Sequence, residues 1–118
     1  MSIAGNVLVA LVAVLHVYFL ILEMFLWDTP YGRKTFGLTA EFSSASKALA
    51  ANQGLYNGFL AAGLVWGLLL GPAGFSIKLF FLGCVVVAGV FGAMTASRKI
   101  LFVQALPAAV ALIVMMLS

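Results

Sequence analysis

The sequence predicts an all-α integral membrane protein, a four-helix antiparallel bundle running up-down-up-down. Three observations predict it. Of the 118 residues, 65% are hydrophobic and only 8% charged, whereas a soluble domain carries about a quarter charged residues. That is too few charges to clothe a soluble core, so the bilayer must act as solvent for most of the surface. Four apolar runs each approach the ~20 residues needed to cross a bilayer. The connections after the second and third runs are short, which makes consecutive helices antiparallel neighbours.

The first helix is expected over residues 3–27. It is too long for a signal-peptide core, and no basic residue precedes it. The second is expected over 48–70, ending at the turn Gly71-Pro72-Ala73-Gly74, and the third over 75–96. Ser97-Arg98-Lys99 marks a tight connection, and the fourth helix is expected over 100–117. Pro107 should bend it, because proline lacks a backbone donor and frees the carbonyl of Val103. Strands are not expected: the runs lack the alternation of a barrel, and open sheet edges cannot sit in lipid. The whole chain therefore reads as one transmembrane domain.

The longest connection, residues 28–47, opens on the turn-rich Asp28-Thr29-Pro30-Tyr31-Gly32. Thr39 can cap a short amphipathic helix beginning near residue 40, with Glu41 close to its positive end. That helix is placed to run on into the second span, and the connection lies on the membrane surface or folds back as a lid.

The net charge is +3. The basic residues sit in connections and at helix ends without forming a basic face, so nucleic acid is not an expected partner. Arg33, Lys34, Lys47, Arg98 and Lys99 fall on one side of a four-span topology and Lys78 alone on the other. The positive-inside rule then puts the first and third connections in the cytoplasm and both termini outside the plasma (inner) membrane. Cys84 is the single cysteine. It allows no intrachain disulfide and reads as a small apolar packing residue.

Polar groups within spans are costly and usually face a bundle interior. Glu23 lies one turn from the cytoplasmic end of the first helix, and His16 about 10 Å deeper on the same face. Asn52, Gln53, Tyr56 and Asn57 occupy the cytoplasmic half of the second helix, within an arc of about 140°. Continued outward, that arc meets Gly63, Gly67 and Gly71, so this face is expected to look inward. Gly54 and Gly58 form a separate pair suited to close contact with a neighbouring helix or a second subunit. Gln104 lies at a similar depth in the fourth helix. Together His16, Glu23, Asn52, Gln53, Tyr56, Asn57 and Gln104 make a candidate ligand-binding cavity open to the cytoplasm. Each also has a plainer role: Glu23 solvated or paired with Arg98 or Lys99, the amides as interhelical glue, Gln104 satisfying backbone loosened by Pro107. His16 has no second histidine for a bis-histidine haem and no ligand cluster for zinc, so neither metal nor cofactor is expected.

Four stretches carry a resemblance. Glu23-Met24-Phe25-Leu26-Trp27, Gly32-Arg33-Lys34-Thr35-Phe36, Ala51-Asn52-Gln53-Gly54-Leu55-Tyr56-Asn57-Gly58 and Ser97-Arg98-Lys99-Ile100-Leu101-Phe102-Val103-Gln104-Ala105 are similar to a family of small bacterial membrane proteins. The family is catalogued as domain of unknown function thirteen-zero-four. The resemblance covers essentially the whole chain and implies a four-helix membrane protein. It implies no settled activity and no catalytic residue.

Three functions compete. A polar cavity suits a protein that binds or translocates a small molecule, with Glu23 attracting a cation or exchanging a proton and the amides orienting the ligand. A transport path through so short a chain calls for a homodimer. A membrane enzyme acting on a lipid-soluble substrate is the alternative, with His16 and Glu23 as acid and base. A structural or regulatory membrane subunit is the third, in which the polar cluster only specifies helix packing.

Overall fold

The computed structural model describes residues 3–96 and 98–118. Ser97, read above as part of a tight connection, lies outside them. Every regular element among the described residues is helical: α1 (Ile3–Met24), α2 (Pro30–Phe36), α3 (Ala40–Leu69), a 3₁₀ turn (Gly71–Gly74), α4 (Phe75–Thr95), a π-helical segment (Leu101–Ala105) and α5 (Leu106–Leu117). Two helical stretches, Ile3–Met24 and Gly71–Thr95, are long and apolar enough to cross a membrane, and Leu101–Leu117 is apolar but shorter. At 22 residues, α1 is about 33 Å long against a hydrocarbon core of about 30 Å. The first apolar run thus ends as a helix at Met24 rather than at residue 27. The expected second helix begins earlier, because the helix capped by Thr39 continues without a break into the apolar run. The resulting α3 has 30 residues and a length of about 45 Å.

The chain divides into two compact units, Met1–Val14 with Leu60–Ser118, and Leu15–Phe59. The core of the first draws on four helices: Val9, Val12 and Ala13 of α1, Leu64 of α3, Leu82 and Val85 of α4, and Ala108, Ala111 and Met115 of α5. Small residues bring these helices close. Gly63 faces the Phe81 ring and Gly67 the Lys78 side chain, and a Cβ on Gly89 would lie 2.6 Å from the backbone nitrogen of Ala105. Lys78, counted as the lone basic residue on the outer side, is fully buried near the start of α4. Its Nζ donates to Asn6 Oδ1 at 3.0 Å, consistent with the rule that buried charges need polar partners.

The last helix is not one continuous α-helix. Its first part is the π-helical Leu101–Ala105, and the Leu106 N–H reaches back to the Leu101 carbonyl. Pro107 follows at the second residue of α5. The widened turn lies directly ahead of the proline inside one continuous helical run, where the missing N–H and the ring of Pro107 disturb the regular i→i−4 ladder.

The second unit comprises the later part of α1, the connection, and α3 as far as Phe59. The connection contains a helix that the turn-rich sequence concealed. Thr29 caps α2 by accepting from the Gly32 N–H at 3.2 Å, Pro30 occupies the favoured first turn, and Gly37 closes it at φ 65°, a left-handed conformation open to glycine. α3 then starts from Thr39, whose hydroxyl accepts from the Phe42 N–H at 3.1 Å.

Candidate ligand-binding site

Six of the seven residues singled out by the sequence belong to the second unit, and Gln104 belongs to the first. Within the second unit, α1 and α3 meet at glycine. A Cβ on Gly54 would lie 2.6 Å from Met24 Cγ, 3.1 Å from Glu23 Cβ and 3.2 Å from the Leu20 carbonyl oxygen. One turn on, a Cβ on Gly58 would lie 2.7 Å from Leu20 Cδ1. This close approach lets the Asn57 Nδ2 donate to Glu23 Oε1 across the two helices. Among the described residues, Asn57 is the one group that donates to the Glu23 carboxylate.

The face of α3 that turns inward here differs from the expected one. The buried edge carries Ala50 and Gly54, with Asn57 and Gly58 half-buried, while Asn52, Gln53 and Tyr56 are exposed. The reason is steric. Glycine permits backbone approach that an amide or phenol side chain forbids, so the Gly54-x-x-x-Gly58 edge takes the contact. Asn57 is the member of the amide cluster near enough to that edge to reach α1. Gln53, Tyr56 and Asn57 stand at i, i+3 and i+4, and so share one stripe of α3. Among the described residues, Asn52, Gln53 and the Tyr56 hydroxyl make no hydrogen bond, and all three are exposed. The Tyr56 ring rests beside Phe59, with ring centroids 6.2 Å apart.

His16 is fully buried and meets the Phe19 ring edge-on at 5.3 Å. Gln104 is half-buried in the π-helical segment of the other unit.

Sequence reasoning missed a polar network in the connection. The Asp28 carboxylate accepts from Ser43 Oγ at 2.5 Å and pairs with Arg33 Nη1 at 3.1 Å. The Ser43 hydrogen bond, followed by the charge and hydrogen bond of Arg33, holds the Asp28 carboxyl below its ordinary value despite some desolvation. Trp27 Nε1 donates to Ser46 Oγ at 3.0 Å, and its ring lies 4.9 Å from that of Phe36. The Tyr18 and Tyr31 hydroxyls are 2.6 Å apart. The available signal was Asp28 and Thr29 just ahead of Pro30, a pattern that opens helices as well as turns.

The molecule is thus an all-helical protein with two stretches of membrane-spanning length and apolarity and a carboxylate–amide pair joining α1 to α3. The chain belongs to the family described as protein of unknown function (DUF1304), whose model matches residues 10–116. It is 30% identical over 115 residues to the uncharacterized protein YpaA of Lactococcus lactis subsp. lactis (strain IL1403), a match covering 96% of this chain and 97% of that one. No solved structure matches it.

Proposed function

We propose that this chain is a multi-pass protein of the plasma membrane that binds, and in a homodimer translocates, a small molecule at the Glu23–Asn57 pair. The observation that carries this reading is the placement of Glu23. It is one of three acidic residues in the chain, sits in the last turn of an apolar helix, and takes its hydrogen bond from an amide on another helix. A carboxylate so close to hydrocarbon is costly unless it is used or paired. Gln53 and Tyr56 line the same stripe of α3 with hydrogen-bonding capacity to spare. In this reading α1, α3, α4 and the Leu101–Leu117 stretch all cross the bilayer. The Asp28–Lys47 connection then lies on the cytoplasmic side, where the positive-inside rule puts its basic residues.

The test is purification in mild detergent, followed by mass spectrometry of what the protein retains. A small molecule should accompany the wild type and be lost from Glu23→Gln, and flux of that molecule into proteoliposomes should fall with it. A stoichiometric protein partner with no small molecule would replace this reading with that of a structural subunit.

A further inference from the structure

We infer that the ligand of the Glu23–Asn57 site is a small organic cation carrying N–H donors, of the primary ammonium or guanidinium class. This rests on the binding reading above and adds the chemistry of the ligand. Asn57 presents its Nδ2 to Glu23 Oε1, which turns Asn57 Oδ1 away from the Glu23 carboxyl group. Two acceptors remain, Glu23 Oε2 and Asn57 Oδ1, and neither takes a hydrogen bond from another described residue. They sit on adjoining helices held together at Gly54 and Gly58.

A ligand that satisfies both must bring at least two N–H or O–H donors. The carboxylate gives the site its charge and selects a cation over an anion. Beside the pair, Tyr56 adds an exposed ring and hydroxyl, and aromatic faces attract cations. The exposed Gln53 amide, one turn from Asn57, supplies another acceptor. A quaternary ammonium meets the charge but has no N–H to offer. An amine or guanidinium meets both demands, and charge-assisted hydrogen bonds are the stronger kind.

The experiment uses the full chain in phosphatidylcholine nanodiscs and follows the side-chain amide resonance of Asn57, assigned by its loss in Asn57→Asp. The probes are butylammonium, butylguanidinium, tetramethylammonium, butyramide and butyrate. Butylammonium and butylguanidinium should shift the resonance saturably, with a Kd about tenfold or more below that of tetramethylammonium. Glu23→Gln should weaken both by about tenfold or more. The panel on the unmodified chain decides the matter even if the variant does not fold. Equal binding of tetramethylammonium would overturn the N–H donor requirement, and binding of butyrate or butyramide as tight as that of butylammonium would overturn the cation assignment, either result leaving the site itself a binding site. No shift with any probe would overturn the assignment too, and retention of a molecule on mild purification would then judge the binding reading separately.

Discussion

At the scale of single residues, Asp28 shows most directly how the connection is held. Its carboxylate is fixed by Ser43 from the start of α3 and by Arg33 from α2, with Lys47 adding favourable charge. Because its pKa is lower folded than unfolded, the carboxylate favours the fold at all pH values above the unfolded pKa of about 3.9. That contribution is lost as pH falls through the folded value. The wild type should therefore lose thermal stability on acidification below about pH 4, and Asp28→Asn should show a flatter profile over the same range. Circular dichroism melts from pH 6 to pH 3 would decide it, and superimposable profiles would remove the role given to Asp28. Lys78 teaches the complementary lesson. Its charge suggests an outer interface, yet its long stem is buried and its tip meets Asn6. A count of charges along a sequence carries no information about a partner 72 residues away.

At the scale of elements, the apolar runs announce their helices plainly, because periodicity and length are local properties. The cap at Thr39 is equally local and equally legible. The orientation of α3 is not. Hydropathy marks amides as the unusual residues of a span, and so the Asn52–Asn57 arc draws the eye. Gly54 and Gly58 are visible as a contact pair, but nothing in the one-dimensional pattern ranks their edge above the amide arc, and they decide which edge meets α1. α2 escaped notice because seven residues are too few to show a helical period, and Pro30 and Gly37 read equally well as turn residues. The glycines themselves make opposed predictions. Gly54→Leu forces a branched side chain against Met24, Glu23 and Leu20, and should destabilise by about 1–3 kcal/mol while shifting the Asn57 amide resonance. Gly83 has open space where its Cβ would be, so Gly83→Ala should stabilise by about 0.5–1 kcal/mol through helix propensity. Thermal melts of the two variants in one detergent would compare them, and an equal change in both would mean that Gly54 makes no specific contact.

At the scale of the whole molecule, the all-helical, strongly apolar character was legible from composition, with 8% of residues charged, and two stretches, Ile3–Met24 and Gly71–Thr95, are long and apolar enough to cross a membrane. The shared core of Val9, Leu64, Leu82 and Ala108 joins four helices within one unit, and large apolar side chains such as Leu69, Val87 and Met94 face outward. The proposed topology makes a direct forecast. In a Cys84→Ser background, Lys34→Cys should resist a membrane-impermeant maleimide in intact cells and react once the membrane is opened, whereas Ser118→Cys should react in both. Labelling of Lys34→Cys in intact cells would reverse the orientation. Why the candidate site was legible only in part follows from the same physics. Glu23 and Asn57 stand out by polarity, but their pairing depends on interhelical distance, which the one-dimensional pattern does not encode.

The hydrogen bond from Trp27 to Ser46 has an optical consequence. The chain has two tryptophans, one in each compact unit. Trp66→Phe would leave a single emitter, with its indole N–H fixed to the first turns of α3 and its ring against Phe36. Its emission colour and quantum yield would report on the α1–α3 junction alone. Four residues from Glu23, this native chromophore would register occupancy of the junction with no label attached.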